Sequence, residues 1–407
     1  MAKRRGAGEG SIYERKHGGK NSKWAASVVV GYDVETGKQK RKTFYGRTRS
    51  EVAEKLAEIL PKLKNGGWYE PSKQLFADWL DTWLNDYKKQ ALRPTTWESY
   101  SYLANKHIKA ALGHLRLNQL QTSHLQRLYT DKLNGGREDG KKGGLSPRTV
   151  RYIHVVIHGA LEQAKKEGAI LINPADNVEL PREQKKTIRF FDRDDVAKFL
   201  KAARETNWYP AYFLELATGL RRGELLALRW KDVDLERGSI TVSQNLVRVK
   251  GGLLFQEPKT KLANRTICIP PVVAAELKNH KKRQAENTLN AGSAWQKEII
   301  FLNAKPEKND LVFCNELGGP TCPRALTRHF ERLLTKTCLV QIPFHGLRHT
   351  FATMSLQEGV DMKTTQENLG HFDPAFTLSV YSGVTKRMKQ EATDKIGNLL
   401  ASCLDNK

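Results

Sequence analysis

Residue types suited to phosphate chemistry are concentrated in the last quarter of the chain, between His345 and Tyr381. His345 and Arg348 are three positions apart, so on a helix their side chains share one face and reach the same place. His371 directly follows Gly370, and Tyr381 supplies a phenol ten residues after that histidine. Cationic, proton-transferring and nucleophilic groups in this arrangement suit the attack of a hydroxyl on a phosphodiester.

The residues around this set predict the elements that must position it. Phe351, Ala352 and Leu356 form an apolar stripe at helical spacing, and Gly370 is a typical helix stop. The dipeptide at 373–374, Asp then Pro, has the form of an N-cap and first helical residue. We therefore predict a short helix after it that carries Tyr381.

A further arginine suited to phosphate binding is Arg221, in the motif TGLRRGEL. Gly219 allows a sharp turn, which would place Arg221 at the start of the next helix and facing a cleft. Glu224, one turn later, is well placed to hold the guanidinium. The alternative is an arginine on a helix surface that merely pairs with Glu224, and its neighbour Arg222 is the less favoured site residue.

Composition indicates a nucleic-acid partner. The 407 residues include 68 Lys and Arg against 44 Asp and Glu, a formal net charge of +24. Such an excess favours a polyanion, and the rival, an anionic membrane surface, lacks support from any basic amphipathic helix. No apolar run is long enough to cross a bilayer, and the basic N-terminus lacks the apolar stretch of a secretory signal. We expect a cytoplasmic protein without membrane partners.

The five cysteines are odd in number and contain no CxxC pair. This usage predicts reduced thiols, with neither a zinc site nor a disulfide framework.

Residues 1–66 are predicted to form a small domain of three strands and one helix. The strands are expected near residues 11–13, 27–32 and 42–45, and the helix over 48–63 with Thr48 or Ser50 as its N-cap. The first 50 residues contain 13 basic and four acidic side chains, a net charge of +9. A module this basic suits DNA contact, although lysines that merely solvate a small sheet are the plainer alternative.

Residues 72–168 are predicted to form a four-helix module after a Gly- and Pro-punctuated linker. Apolar residues recur at three- and four-residue spacing after Leu75, and further helices are expected to begin at Pro94, Ser123 and Ser146. Basic residues between the apolar ones suit DNA, although composition alone fits a protein-docking bundle equally well.

Residues 188–395 follow a second linker and are predicted to be a mixed α/β domain. Asp192 is expected to cap a helix, and a buried helix is expected to end at Thr218 and Gly219. Short strands are predicted at residues 239–249, 252–255 and 265–269, and helices resume at Pro271, Pro323 and His345. The chain as a whole is thus expected to be mainly α with small β-sheets, in several domains.

The motifs TGLRRGEL, WKDVD, PKTK ahead of an RTI strand, HGLRH and LGH, followed by a tyrosine, occur in a fixed order. Together they resemble the tyrosine recombinase (phage integrase) family over residues 190–395. The N-terminal part is similar to the arm-binding and SAM-like core-binding domains of integrases from phages and conjugative transposons. Arg222 departs from the family's usual aliphatic residue, and Gly223 stands where Ser or Ala is frequent.

The resemblance implies which residues form the catalytic set. Tyr381 matches the nucleophile that forms a 3′-phosphotyrosyl link, while the arginines would hold the nonbridging oxygens. Lys259 would protonate the leaving 5′-oxygen, although Lys261 is a rival at this position. The complete set comprises Arg221, Lys259, His345, Arg348, His371 and Tyr381.

Two further roles belong to the histidines of this set. His345 would assist proton transfer to or from Tyr381, and His371 would bond the phosphate. No metal, ATP or other cofactor is implied, because arginine and lysine supply the charge and the ester keeps the bond energy.

The implied function is a site-specific integrase that cuts and rejoins double-stranded DNA at attachment sites, to integrate and excise a mobile element or prophage. The chain is expected to act on DNA as a homotetramer, and accessory excision or bending proteins are expected as further partners. One alternative is a type IB topoisomerase that relaxes supercoils. Another is a non-catalytic DNA-binding regulator, against which the complete catalytic set argues.

Overall fold

The computed structural model describes most of the chain in two compact units, Met1–Glu183 and Gln184–Lys407. The described residues are 10–15, 23–32, 38–64, 73–135, 137, 142–183, 189–257, 264–299, 305–370, 393–394, 396–397 and 401. Among them, no helix is both long enough and apolar enough to cross a membrane.

The first unit begins with an antiparallel sheet covered by one helix. Strands β1 (Ser11–Glu14), β2 (Trp24–Tyr32) and β3 (Gln39–Gly46) lie in that order, and helix α1 spans Arg49–Lys64. The Thr48 hydroxyl accepts a hydrogen bond from the N–H of Glu51 at 3.2 Å, as expected of an N-cap. The predicted strands and helix are confirmed. Their small core consists of Ala26, Val28, Val52 and Leu56.

The rest of the first unit is helical and has a larger core. The four predicted helices are confirmed, but two of them contain wide π-helical turns that apolar spacing did not reveal. Trp79 fixes two helices together, because its Nε1 donates to the carbonyl of Ala160 at 2.8 Å. The elements are α2 (Phe76–Thr82), a π turn (Trp83–Lys88), α3 (Pro94–Leu103), a π turn (Ala104–Ile108), α4 (Lys109–Leu112), α5 (Thr122–Asn134) and α6 (Pro147–Lys166).

The second unit is a mixed α/β domain around one main core. Asp192 caps its first helix through the N–H of Asp195, 2.8 Å away, as predicted. Aromatic rings dominate the centre, where Phe199 packs against Tyr212 and Phe330 at 5.2 and 5.5 Å between ring centroids. The helices are α7 (Arg193–Ala203), α8 (Tyr209–Thr218), α9 (Arg222–Ala227), α10 (Pro271–Ala291), α11 (Pro323–Lys336), α12 (Gly346–Gln357) and α13 (Met362–Leu369).

The strands of this unit form small antiparallel sheets. The strands are β4 (Val233–Asp234), β5 (Ser239–Val242), β6 (Asn245–Val249), β7 (Gly252–Gln256), β8 (Arg265–Cys268), β9 (Glu298–Ile299) and β10 (Glu307–Lys308). The order β4-β5-β8 builds one sheet, β6 pairs with β7, and β9 pairs with β10. The single strand predicted over residues 239–249 was wrong, because this segment divides into β5 and β6, which belong to different sheets. Between them, the Ser243 hydroxyl donates to the carboxylate of Asp232 at 2.8 Å.

Candidate active site

Arg221 lies in the turn between α8 and α9, and Gly219 makes that turn feasible. Gly219 has φ +61°, the left-handed conformation that ends helices. A Cβ at this position would come within 2.5 Å of Phe351 and 2.7 Å of Leu369, so a larger residue does not fit. Arg221 follows in extended conformation, immediately before α9.

Glu224 holds Arg221 in two ways, as its spacing predicted. Its carboxylate accepts the backbone N–H of Arg221 at 3.0 Å and the guanidinium at 2.7 Å. Glu224 is buried, whereas 38% of the Arg221 side chain stays exposed. The guanidinium is therefore fixed on one side and open to a ligand on the other.

Arg348, on α12, is buried and joins two distant segments. Its guanidinium donates to the carbonyl of Gly219 at 2.6 Å and to that of Leu369 at 2.5 Å. The end of α8 and the end of α13 are thereby tied to the same side chain. Burial lowers the pKa of Arg348 to about 9, with the charge of Arg221 acting in the same direction. Arg348 is still a cation at neutral pH.

A third arginine, Arg265, belongs to the same cluster and was missed from the sequence. It begins β8, and its side chain is only 8% exposed. It donates to Glu224 at 3.0 Å and to the carbonyl of Asn368 at 2.7 Å. The strand was predicted, but no local pattern distinguishes a buried arginine at a strand end from a solvated one.

The three guanidiniums bind three consecutive carbonyl oxygens at the end of α13. Arg265 donates to the carbonyl of Asn368, Arg348 donates to that of Leu369, and Arg221 donates to that of Gly370 at 3.0 Å. The cluster thus places fixed positive charge at the segment that leads directly to residue 371.

Glu224 is the ionised counter-charge of this cluster. Burial by itself raises the pKa of its carboxyl, but the guanidiniums of Arg265 and Arg221 outweigh burial and hold that pKa below its ordinary value. With three arginines around it, the cluster keeps an excess of positive charge, which suits a phosphodiester.

His345 occupies the N-cap position of α12, three residues before Arg348. Its ring meets that of His349 edge-on, with 4.9 Å between centroids. Desolvation of its packed side, followed by the positive charges of His349 and Arg348, lowers the pKa of His345 to about 4. His345 is nevertheless an exposed residue, so solvent screens part of this effect. A neutral imidazole at neutral pH can accept a proton.

Arg222 points away from the cluster, towards α11. Its guanidinium donates to the hydroxyl of Thr327 at 2.6 Å. This placement agrees with the prediction that Arg222 is the less favoured of the two adjacent arginines.

Three of the six predicted site residues lie together and three lie outside the described residues. Arg221, His345 and Arg348 are close enough for their charges to act on one another. Lys259, His371 and Tyr381 belong to ranges that the structure does not describe, as does the short helix predicted after residue 373. Their roles stay predictions. In the described ranges, no group of three or more His, Cys, Asp or Glu side chains could hold a metal ion.

Comparison with protein-family models finds two matches in the chain. Residues 189–388 match the phage integrase family, and residues 75–133 match the N-terminal SAM-like domain of phage integrases.

Similar proteins are found along nearly the whole length. A tyrosine recombinase XerC-like protein from Caldanaerobacter subterraneus subsp. tengcongensis is 29% identical over 398 residues, covering 93% of this chain and 97% of that protein. The ICEBs1 integrase of Bacillus subtilis is 25% identical over 385 residues, covering 93% and 98% of the two chains.

Solved structures of similar fold include two integrases bound to DNA. The Tn1549 transposon integrase in complex with a circular intermediate DNA has a TM-score of 0.65 at 21% identity, covering 79% of this chain and 99% of that one. A lambda integrase tetramer bound to a Holliday junction has a TM-score of 0.56 at 18% identity, covering 93% and 96%. At these identities, the likeness concerns the fold.

Proposed function

Because the chain belongs to the phage integrase family of tyrosine recombinases, we propose that it cuts and rejoins DNA at specific sites through a covalent link to Tyr381. The observation that carries this proposal is the meeting of Arg221 and Arg348 at the ends of α8 and α13. Planar guanidiniums are suited to the nonbridging oxygens of a phosphodiester, whose charge increases in the transition state.

In the proposed reaction the phenol oxygen of Tyr381 attacks the phosphorus and the bond to the 5′-oxygen breaks. His345 accepts or relays the phenol proton, a role that its neutral ring at neutral pH supports. Lys259 donates a proton to the leaving 5′-oxygen, and His371 bonds the phosphate. The freed 5′-hydroxyl of a partner strand then attacks the phosphotyrosine, which restores Tyr381.

The energy of the broken bond is kept in the phosphotyrosyl ester, so rejoining requires no nucleotide. The guanidinium charges supply the stabilisation of the phosphate that a metal ion gives in other phosphoryl-transfer enzymes. The proposed chemistry therefore uses groups of the chain alone.

The substrate in this proposal is double-stranded DNA carrying attachment sites of a mobile element or prophage. The first 50 residues support a second DNA contact, because their net charge is +9. In this part of the chain, Arg15 lies over the ring of Tyr45 and Lys42 over that of Phe44. Side chains of this kind pair with phosphates and cover apolar surface. We propose three domains. Residues 1–66 bind arm-type sites, residues 72–168 bind core sites, and residues 188–395 carry out the cleavage and rejoining.

We further propose that four copies assemble on DNA in the cytoplasm and that accessory proteins bend the DNA or direct excision. The tetrameric lambda integrase on a Holliday junction supports the first part, since its fold is shared along 93% of this chain.

The decisive experiment compares wild type with Tyr381→Phe on a nicked suicide substrate, from which the cleaved fragment diffuses away. Wild type is expected to accumulate a covalent protein–DNA adduct, and the variant is expected to bind the same DNA without forming one. Tyr209→Phe, which removes a phenol at the start of α8, is the matched control and should form the adduct.

An adduct that survives in Tyr381→Phe would show that the nucleophile is misassigned. Exchange of flanking DNA between two labelled molecules separates a recombinase from a topoisomerase, which would relax supercoils without exchange. DNA binding with no adduct in wild type would indicate a non-catalytic regulator.

A further inference from the structure

Glu215 is a buried carboxyl for which the fold shows no evident structural use. It lies in α8 with no exposed surface. Within the described part of the chain, neither of its carboxyl oxygens has a hydrogen-bond partner. Glu224, the other buried acid of the cluster, is by contrast bound at both oxygens. A buried polar group without a partner is costly, so its presence in a packed core requires an explanation.

The position of Glu215 connects it to Arg348. Its backbone carbonyl accepts the N–H of Gly219 at 2.7 Å, and the carbonyl of Gly219 in turn accepts the guanidinium of Arg348 at 2.6 Å. Helix α8, which carries Glu215, packs against α12, which carries Arg348. The two side chains are close enough for each charge to act on the other.

The protonation state of Glu215 differs from that of Glu224. Burial raises the pKa of Glu215 well above its ordinary value; Arg348 and Arg265 act against that rise, and the charge of Glu224 adds to it. Burial therefore favours the protonated, uncharged form of the Glu215 carboxyl. A neutral carboxyl still offers a carbonyl oxygen as an acceptor, but it does not cancel the charge of a nearby guanidinium.

Two of the five guanidinium N–H groups of Arg348 are bound to backbone carbonyls, those of Gly219 and Leu369. A shift of the guanidinium towards a phosphate whose charge increases in the transition state would lengthen one of these bonds. Because Arg348 is buried, the N–H released in this way would need a new acceptor.

We propose that Glu215 is a positioning residue for Arg348: its buried, unpartnered carboxyl accepts the guanidinium N–H released when Arg348 engages the phosphate. The proposal rests on the DNA cleavage activity proposed above. It assigns Glu215 no contact with the substrate, and the residue acts only through Arg348.

The test compares Glu215→Gln and Glu215→Leu in full-length protein on the nicked suicide substrate. Single-turnover cleavage rate, DNA affinity and melting temperature are measured for each. Gln keeps an uncharged acceptor oxygen and should cleave within about threefold of wild type. Leu removes the acceptor, so its cleavage rate should fall by about tenfold or more at unchanged DNA affinity.

The melting temperature distinguishes a positioning role of Glu215 from a merely structural one. Leu replaces an unpaired polar group by an apolar one, so its melting temperature should equal or exceed that of wild type while its rate falls. Tyr212→Phe, a loss of a buried polar atom from the same helix, should keep the wild-type rate, because its hydroxyl contacts His329. If the Leu variant does not fold, Glu215→Met supplies an unbranched apolar replacement for the same comparison.

Two results would overturn the proposal: an apolar variant that cleaves at the wild-type rate, or a Gln variant as slow as the apolar one. Failure of the proposed function looks different, because wild type itself would then form no adduct.

Discussion

The guanidinium of Arg348 is bound to the backbone carbonyl of Gly219 at 2.6 Å, although 129 positions separate the two residues. Gly219 stands two residues before Arg221, so this bond fixes both arginines relative to one turn. The two charges are therefore held beside one another at this turn before a phosphate binds.

Replacement of Arg348 by Lys should abolish most cleavage while retaining a positive charge. A single ammonium cannot reproduce the planar fork that spans the carbonyls of Gly219 and Leu369. We expect the single-turnover cleavage rate to fall by about 100-fold or more, the usual effect of losing a donor to a developing charge. Arg222→Lys, an exposed neighbour that bonds Thr327, should stay near the wild-type rate. Equal cleavage rates in the two variants would contradict the assignment of Arg348 to phosphate stabilisation.

Glu224→Gln should destabilise the second unit at neutral pH. The carboxylate is buried and holds both Arg221 and Arg265, and removal of one partner of such a pair costs about 3 kcal/mol. Chemical denaturation of wild type and variant at pH 7 measures the difference.

The ionised state of Glu224 also predicts how stability depends on pH. The pKa of Glu224 is lower in the folded protein than its ordinary value of 4.5, so its stabilising effect is complete above that value. As pH falls through the lower folded pKa, the effect is lost. The stability gap between wild type and Glu224→Gln should therefore narrow below about pH 4.5, and a gap that widens in acid would refute the ionised state.

His345→Gln should slow cleavage by about 100-fold at pH 7, the usual contribution of a positioned general base. The pKa of His345 in the free protein is about 4, compared with an ordinary 6.5. Stability linked to the neutral ring is present above 6.5 and is lost as pH falls towards 4. In urea denaturation between pH 7 and 5, wild type should thus lose more stability than His345→Gln; an equal loss would count against the lowered pKa.

Lys259→Ala should be rescued by a substrate with a better leaving group. If Lys259 protonates the 5′-oxygen, a substrate with sulfur at that bridging position leaves without protonation. The variant should cleave the oxygen substrate about 100-fold slower than wild type and the sulfur substrate at nearly the wild-type rate. Lys261→Ala is the matched control, and rescue of that variant instead would transfer the role to Lys261.

Cys338→Gly should stabilise the protein without affecting cleavage. Cys338 follows α11 with φ +52°, the left-handed region in which a side chain is strained by about 1 kcal/mol. Relief of that strain should raise the melting temperature by about 2 °C for a unit of this size. Cys338→Ala, which keeps the strained Cβ, should show no such gain.

The parts of the fold that sequence predicted are those set by local rules. Thr48, Asp192 and Gly219 cap helices through contacts within four residues, so their patterns were readable. The pairing of Arg221 with Glu224 has the same local origin.

Features that depend on packing between distant parts of the chain could not be predicted from the sequence. The contact of Arg265 with Asn368 joins residues 103 positions apart, and the burial of Glu215 depends on helices that only the fold brings together. The π turns after α2 and α3 also escaped, because they preserve most of the helical apolar spacing.

The acceptors at the end of α13 have an evolutionary consequence, because they are main-chain oxygens. Every amino acid supplies the same carbonyl, so substitutions at Asn368 and Leu369 can accumulate without deleting an arginine's partner. Gly370 is the exception, since it adopts φ +61° and a Cβ there would come within 3.0 Å of the Arg265 guanidinium. The partners of the three arginines therefore survive side-chain changes in this turn, and the constraint on sequence comes instead from Gly370 and from the core packing of the buried Leu369.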